Sequence, residues 1–253
     1  MIKPYYESDG ITIYNGDCRD VIPHLGQVDH VITDPPYSEV THEGARTSID
    51  KKLVDFASVT AEELRDIFSS IAQTRWVVAF MDWRHVAAFE ANPPKGLAFI
   101  RFGIWHKPNG APQFTGDRPG TGWEAIAIMH RDGQKLRWNG GGHHAVYSYN
   151  KVNGQHPTAK PERLVGQLVE QFTEPGEMVL DPFMGSGTTL VAAKMLGRRA
   201  IGIEREERYC AVAKARLAQG SLFTAGTSIA APQSMSLPGM EPAKSAREPG
   251  LSA

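Results

Sequence analysis

Asp181-Pro182-Phe183-Met184-Gly185-Ser186-Gly187-Thr188-Thr189 follows the short apolar run Met178 to Leu180 and precedes the helix-forming run Leu190 to Leu196. A strand, a glycine-rich turn and a helix in that order make a cradle for a ligand. Gly185 and Gly187 let backbone N–H groups approach that ligand closely, and the helix N-terminus favours a carboxylate or phosphate. A second apolar run, Ala200 to Ile203, ends in Glu204, 17 residues beyond Gly187. An acidic residue at that place can accept both hydroxyls of a ribose. A nicotinamide-binding turn is the natural competitor, but the third glycine of G-x-G-x-x-G is missing and Leu190 holds its place. A glycine-rich turn with no ligand is the blander alternative.

The second informative stretch is Asp34-Pro35-Pro36-Tyr37, set after the apolar run Val28 to Thr33. Its residue types suit an exocyclic base amine. Such a nitrogen is a poor nucleophile because its lone pair is delocalised into the ring. A carboxylate and a backbone carbonyl that accept its two hydrogens draw it toward tetrahedral geometry, and Asp34 with the Pro35 carbonyl can supply both. Prolines at 35 and 36 restrict φ and remove competing backbone donors. Tyr37 offers a face for base stacking, worth about 1–3 kcal/mol. Taken alone, the tetrapeptide reads equally well as a strand that ends in a Pro-Pro turn.

Together the two stretches resemble the amino-group DNA methyltransferases that use S-adenosylmethionine. The resemblance runs from Ile11 to about Phe223, and its motif order, with 147 residues between Asp34 and Asp181, is the one called β-type. Asn15-Gly16-Asp17-Cys18 matches the segment bordering the cofactor adenine, with Asp17 as the candidate for its amino group. His156-Pro157-Thr158-Ala159-Lys160-Pro161 matches the segment that helps hold the methionine end. The resemblance implies a Rossmann-like α/β fold with a mostly parallel sheet, helices on both faces and a late antiparallel element. It also implies direct methyl transfer to a flipped-out base. Asp34, Pro35, Pro36 and Tyr37 would form the catalytic turn. Asp17, Cys18, Asp34, His156, Thr158, Lys160, Asp181, Phe183, Gly185, Ser186, Gly187, Thr188 and Glu204 would surround the cofactor. The expected division is a catalytic half over 11–107, a target-recognition segment over 108–155 and a cofactor half over 156–223.

With 253 residues and 41% apolar composition, the chain suits one α/β domain with insertions. Cys18 and Cys210 form no C-x-x-C pair, so neither a disulfide framework nor a zinc site is indicated. No run of about 18 apolar residues occurs, which predicts a cytoplasmic protein without a membrane partner. The formal net charge of −1 argues against a nucleic-acid partner until its distribution is read. Residues 101–163 carry 9 basic and 4 acidic side chains, against 9 and 15 in residues 1–100. In the basic segment Lys107, Arg118, Lys135 and Arg137 are candidate DNA contacts, joined by Arg46 upstream. Trp105 and Trp123 lie in strand-like runs and read as core.

Patterning predicts strands near 28–33, 75–81, 97–106, 123–130, 178–181 and 199–203. Thr60 and Glu63 form a capping-box signature for a helix to about Ala72, and Asp82 caps a second to about Ala91. Further helices are expected over 162–172, 188–196 and 206–219. Beyond Phe223, 20 of the last 30 residues are Gly, Ala, Ser, Thr or Pro, which predicts a disordered tail over 224–253. The resulting reading is a site-specific enzyme that methylates N6 of adenine in double-stranded DNA. Cytosine N4 and an inactive DNA-binding module of the same fold are the alternatives. The resemblance admits a homodimer and a restriction endonuclease partner without deciding either.

Overall fold

A computed structural model describes residues 2–36, 59–152 and 160–219. Tyr37, Arg46, His156, Thr158 and the C-terminal tail lie outside the described residues. The strands are β1 (Tyr6–Ser8), β2 (Ile11–Asn15), β3 (His30–Thr33), β4 (Trp76–Met81), β5 (Leu97–His106), β6 (Trp123–Arg131), β7 (Val146–Ser148), β8 (Met178–Asp181) and β9 (Arg199–Glu204). The helices are α1 (Cys18–Val21), α2 (Ala61–Ser70), α3 (Trp83–Ala91), α4 (Glu162–Phe172), α5 (Thr188–Met195) and α6 (Glu207–Ala218).

One sheet of nine strands orders them β1-β2-β9-β8-β3-β4-β6-β5-β7. Only β1 and β6 run antiparallel to their neighbours. The expected antiparallel element is therefore β6, which lies in the middle of the chain rather than late. Strand alternation sends side chains to two helical layers. Trp76, Val78 and Phe80 join a core with Leu164 and Leu168 of α4, Leu190 of α5 and Ala213 of α6. Val77, Ala79 and Met81 face the other way, against Val21 of α1, Leu64 and Phe68 of α2, and Phe89 of α3. A strand buried on both faces must be apolar throughout, and β4 reads Trp-Val-Val-Ala-Phe-Met.

The capping box at α2 forms as expected, with the Glu63 N–H donating to Thr60 Oγ1 at 3.1 Å and the Thr60 N–H donating to Glu63 Oε2 at 2.8 Å. Trp105 is buried in β5, and Trp123 is half-buried at the start of β6. Among the described residues no helix is long and apolar enough to cross a membrane. Residues 123–131 and 146–148, inside the stretch expected to recognise the target, are strands of the central sheet.

Candidate active site

From β3 the chain moves to β4 on one side, and from β8 it moves to β9 on the other. The connections after β3 and β8 therefore diverge and leave a crevice at their carboxyl ends, the usual ligand position in such sheets. Both sequence motifs open there. Thr33, the last residue of β3, donates its hydroxyl to Asp181 Oδ1 at 2.7 Å, which joins two motifs 148 residues apart. Asp181 ends β8, is 3% exposed and also accepts the Phe183 N–H at 3.1 Å. Burial pushes its carboxyl up to about 6, against the pull of hydrogen bonds from Thr33, Thr189 and the Phe183 amide. Asp34 and Pro35 follow directly from β3, with Pro35 buried.

The glycine loop is tied to the end of β9. The Gly185 N–H donates to Glu204 Oε2 at 3.0 Å, the Glu206 N–H donates to Oε1 at 2.8 Å, and the Met184 N–H donates to the Ile203 carbonyl at 3.0 Å. Burial raises the Glu204 carboxyl above its ordinary value despite these donors. Gly185 and Gly187 serve different ends. A Cβ on Gly185 would meet nothing within 4 Å, whereas one on Gly187 would lie 2.7 Å from the Ala213 Cβ of α6. Gly187, at φ +80°, is thus a packing position as well as a turn.

Arg216 on α6 adds a clamp to the glycine loop. It donates to the Ser186 carbonyl at 2.5 Å, Ser186 Oγ at 3.1 Å and Thr188 Oγ1 at 3.3 Å, and pairs with Glu162 at 2.7 Å. Its position 30 residues beyond Ser186 left no local signal. A cleft of about 910 Å³ opens beside this clamp, lined in part by Lys160, Ser186, Thr188, Tyr209 and Arg216.

On the other flank, Asn15 donates from Nδ2 to the carbonyls of Glu204 and Arg205 at 3.0 and 2.9 Å, and the Gly16 N–H donates to the Glu204 carbonyl. Asp17 caps α1 and pairs with Arg19 at 2.7 Å. The Arg19 bond holds the Asp17 carboxyl down at about 2. Burial pushes Cys18 up to about 12 and Cys210 to about 11, so both are thiols near neutral pH.

Lys160 reaches Asp34 Oδ2 at 2.6 Å and Glu124 Oε2 at 3.2 Å, with its ammonium 4.9 Å from the Phe80 ring centroid. Lys107, expected to meet DNA, instead pairs with Glu124 and lies over the Trp105 ring. Glu124 was not anticipated, because a lone glutamate opening a strand has no motif.

Lys135 and Arg137 lie away from the crevice. The antiparallel course of β6 carries the chain away from the crevice, and Arg131 pairs with Leu97 at the sheet's amino edge. Beyond it, the Arg137 carbonyl accepts the Trp76 indole N–H at 2.6 Å, at the start of β4. Both cations are exposed at the edge opposite Asp34. Arg118 differs. It lies in the β5–β6 connection at the carboxyl edge, exposed and paired with Asp117 at 2.9 Å.

A family described as DNA methylase, N6_N4_Mtase, matches residues 138–215. The type II methyltransferase M2.LlaDCHI of Lactococcus lactis subsp. cremoris is 27% identical over 261 residues, spanning 88% of this chain and 95% of that protein. The crystal structure of an M1.HpyAVI–SAM complex superposes with a TM-score of 0.67 at 27% identity, covering 82% of this chain and 98% of the other. The cytosine-N4-specific PvuII DNA methyltransferase shares the fold, with a TM-score of 0.65 at 17% identity over 89% of this chain and 91% of its own.

Proposed function

We propose that this chain, which is an amino-group DNA methyltransferase of Rossmann-like fold, transfers the methyl of S-adenosylmethionine to N6 of adenine in double-stranded DNA. The observation that carries the reading is the junction of the Asp34-Pro35 turn with the Asp181 loop at the sheet's switch point, through the Thr33–Asp181 hydrogen bond.

The residues at the crevice fit that cofactor. Glu204 presents a carboxylate beside the Gly185 amide, which suits ribose hydroxyls, and the space before Gly185 would be filled by any Cβ. Phe183 is a half-buried ring beside the same loop and would wall the adenine. Gly185, Ser186, Gly187 and Thr188 would enclose the methionine end. Asp17 and Cys18 border the adenine side, where the Asp17 carboxylate must divide its lone pairs between Arg19 and the amine. When bound, the cofactor supplies an electrophilic methyl group.

The chain's own part is positioning. Asp34 and the Pro35 carbonyl accept the two amine hydrogens and aim the nitrogen lone pair. The base has left the stack at a cost of a few kcal/mol, and Tyr37 offers it a stacking face. Positioning of this kind can supply roughly 7–11 kcal/mol of the barrier. Lys160 pairs with Asp34 Oδ2 at 2.6 Å and orients that carboxylate. The amine proton becomes acidic only after transfer, so Asp34 carries little general-base burden.

Adenine is favoured over cytosine because N4 enzymes of the family more often carry Ser where this chain has Asp34. The β5–β6 connection with Arg118, between Lys107 and Gly122, lies at the carboxyl edge and is the proposed recognition element, with Ser148 to Asn150 after it lining the same cleft. In this reading the enzyme works in the cytoplasm, where its DNA substrate lies.

Mass spectrometry of nucleosides from DNA treated with the enzyme and S-adenosylmethionine should show N6-methyladenine. N4-methylcytosine alone would overturn the base assignment, and no methylated base would favour the inactive module.

A further inference from the structure

Four charged side chains from four parts of the chain alternate in sign across the crevice: Lys107 after β5, Glu124 on β6, Lys160 before α4 and Asp34 after β3. Lys107 bonds to Glu124 Oε1, Lys160 lies 3.2 Å from Glu124 Oε2, and Lys160 lies 2.6 Å from Asp34 Oδ2. The Lys160 side chain is 8% exposed, so its charge is poorly screened by water. Its ammonium rests 4.9 and 6.0 Å from the ring centroids of Phe80 and Trp105, which form an apolar floor.

Such an arrangement poses an electrostatic problem for the proposed chemistry. As the amine is methylated, positive charge develops on its nitrogen, and Asp34 should stabilise it. An ammonium locked onto Asp34 cancels much of the carboxylate's field. A second carboxylate on the far side of that ammonium restores it. We infer that Glu124 is a positioning residue for methyl transfer, holding Lys160 against Asp34 Oδ2 and offsetting the lysine charge so that the Asp34 carboxylate dominates the field at the amine. This inference rests on the reading of Asp34 given above. Lys107 pairs with Glu124 Oε1 and helps aim it.

Other carboxylates at this edge of the sheet have partners of their own. Glu162 pairs with Arg216, Asp82 at the end of β4 pairs with Arg84, and Asp181 accepts from Thr33. Burial draws the Lys160 ammonium down, and Asp34 and Glu124 together more than offset it, holding it above its ordinary value. Removing Glu124 deletes one of those two supports, so Lys160 must lose its proton at lower pH.

The test uses the full chain, unmethylated genomic DNA and S-adenosylmethionine. Glu124→Gln should keep its melting transition and bind cofactor and DNA within about threefold of wild type, while kcat falls about 10- to 100-fold. The alkaline limb of its pH–rate profile should move toward lower pH, a change that loosened packing alone would not produce. Glu124→Asp should recover part of the rate. Lys107→Met removes a cation and leaves Glu124 wholly to Lys160, so it should move the same limb the other way, toward higher pH, and it carries the test if Glu124→Gln melts early. A rate within threefold of wild type with an unmoved limb would overturn the inference, as would a rate loss matched by lost cofactor affinity. Wild-type chain that transfers no methyl would overturn the parent reading and this one together.

Discussion

The two edges of one sheet each hold a partly buried ion network, and they put it to opposite uses. At the carboxyl edge Asp34, Lys160 and Glu124 face a crevice with their charges spread over two connections and the start of β6. At the amino edge Glu177 is held by Arg75 at 2.6 Å and His30 at 2.7 Å, with His30 only 1% exposed. This second network closes on itself: the Glu174 N–H donates to Glu177, the Met178 N–H donates to Asp29, and the Trp76 N–H points to His30. It sits where strands β3, β4 and β8 begin, and it locks their register. Burial pulls the His30 imidazole below its ordinary value despite Glu177, whose charge Arg75 already offsets. Charge alone does not mark a functional site. An opening beside it does.

The largest effect that separates the edges is catalytic. Asp34→Ala should lower methyl transfer by about 10³-fold, about 4 kcal/mol of transition-state stabilisation, with cofactor binding retained. Single-turnover rates beside calorimetry measure both, and normal turnover would remove Asp34 from the mechanism.

At the other edge Glu177→Ala should act on stability and leave chemistry alone. It strands His30 and Arg75, a loss of about 3 kcal/mol by denaturant unfolding, with kcat of the folded fraction unchanged. A drop in kcat at full folding would show that the two networks communicate.

Acid should affect the edges in opposite directions. Asp181, raised to about 6, contributes stability that is complete below its unfolded value of 3.8 and is lost as pH rises through about 6. The term is on the order of 2–3 kcal/mol. His30 and His130, both lowered by burial, contribute stability that is present above the ordinary histidine value of 6.5 and is lost as pH falls. Asp181→Asn should therefore raise stability relative to wild type above pH 6 and match it near pH 4. A parallel pair of stability–pH curves would contradict the buried-carboxyl account.

The smallest expected change concerns DNA. Arg118→Ala should reduce the slope of log binding constant against log salt by about 1, while Lys135→Ala with Arg137→Ala leaves it unaltered. The reverse result would move the DNA face to the amino edge.

A related correction concerns the glycines. Both look alike as cofactor contacts in sequence, yet Gly187→Val would drive a side chain into Ala213 and test packing before it tested binding. Gly185→Ala enters open space and costs about 1–2 kcal/mol for its φ of +50°. It is the cleaner probe of the loop.

Elements that announce themselves locally were legible. The six predicted strands lie within about two residues of β3, β4, β5, β6, β8 and β9, because runs such as Trp76 to Met81 must be apolar when covered on both faces. The Thr60–Glu63 box and Asp82 placed two helix starts, since a cap is a contact between near neighbours. The strands β1, β2 and β7 went unread. They are three to five residues long and sit at or near the sheet's edges, where partial burial leaves a weak pattern.

The sequence by itself determined the two motifs, their order, and the acidic residues that end their strands, since each depends on residue types within one turn of chain. Only the tertiary structure decided which charges meet. It brought Thr33 to Asp181 and Lys160 to Asp34 and Glu124, gave Arg216 to the glycine loop, and sent Lys135 and Arg137 to the far edge. The physical reason is strand order and direction. Sequence counts a cation as belonging to its segment, whereas an antiparallel strand of nine residues carries the chain across the whole sheet, so that neighbours in sequence come to face opposite ends of the molecule.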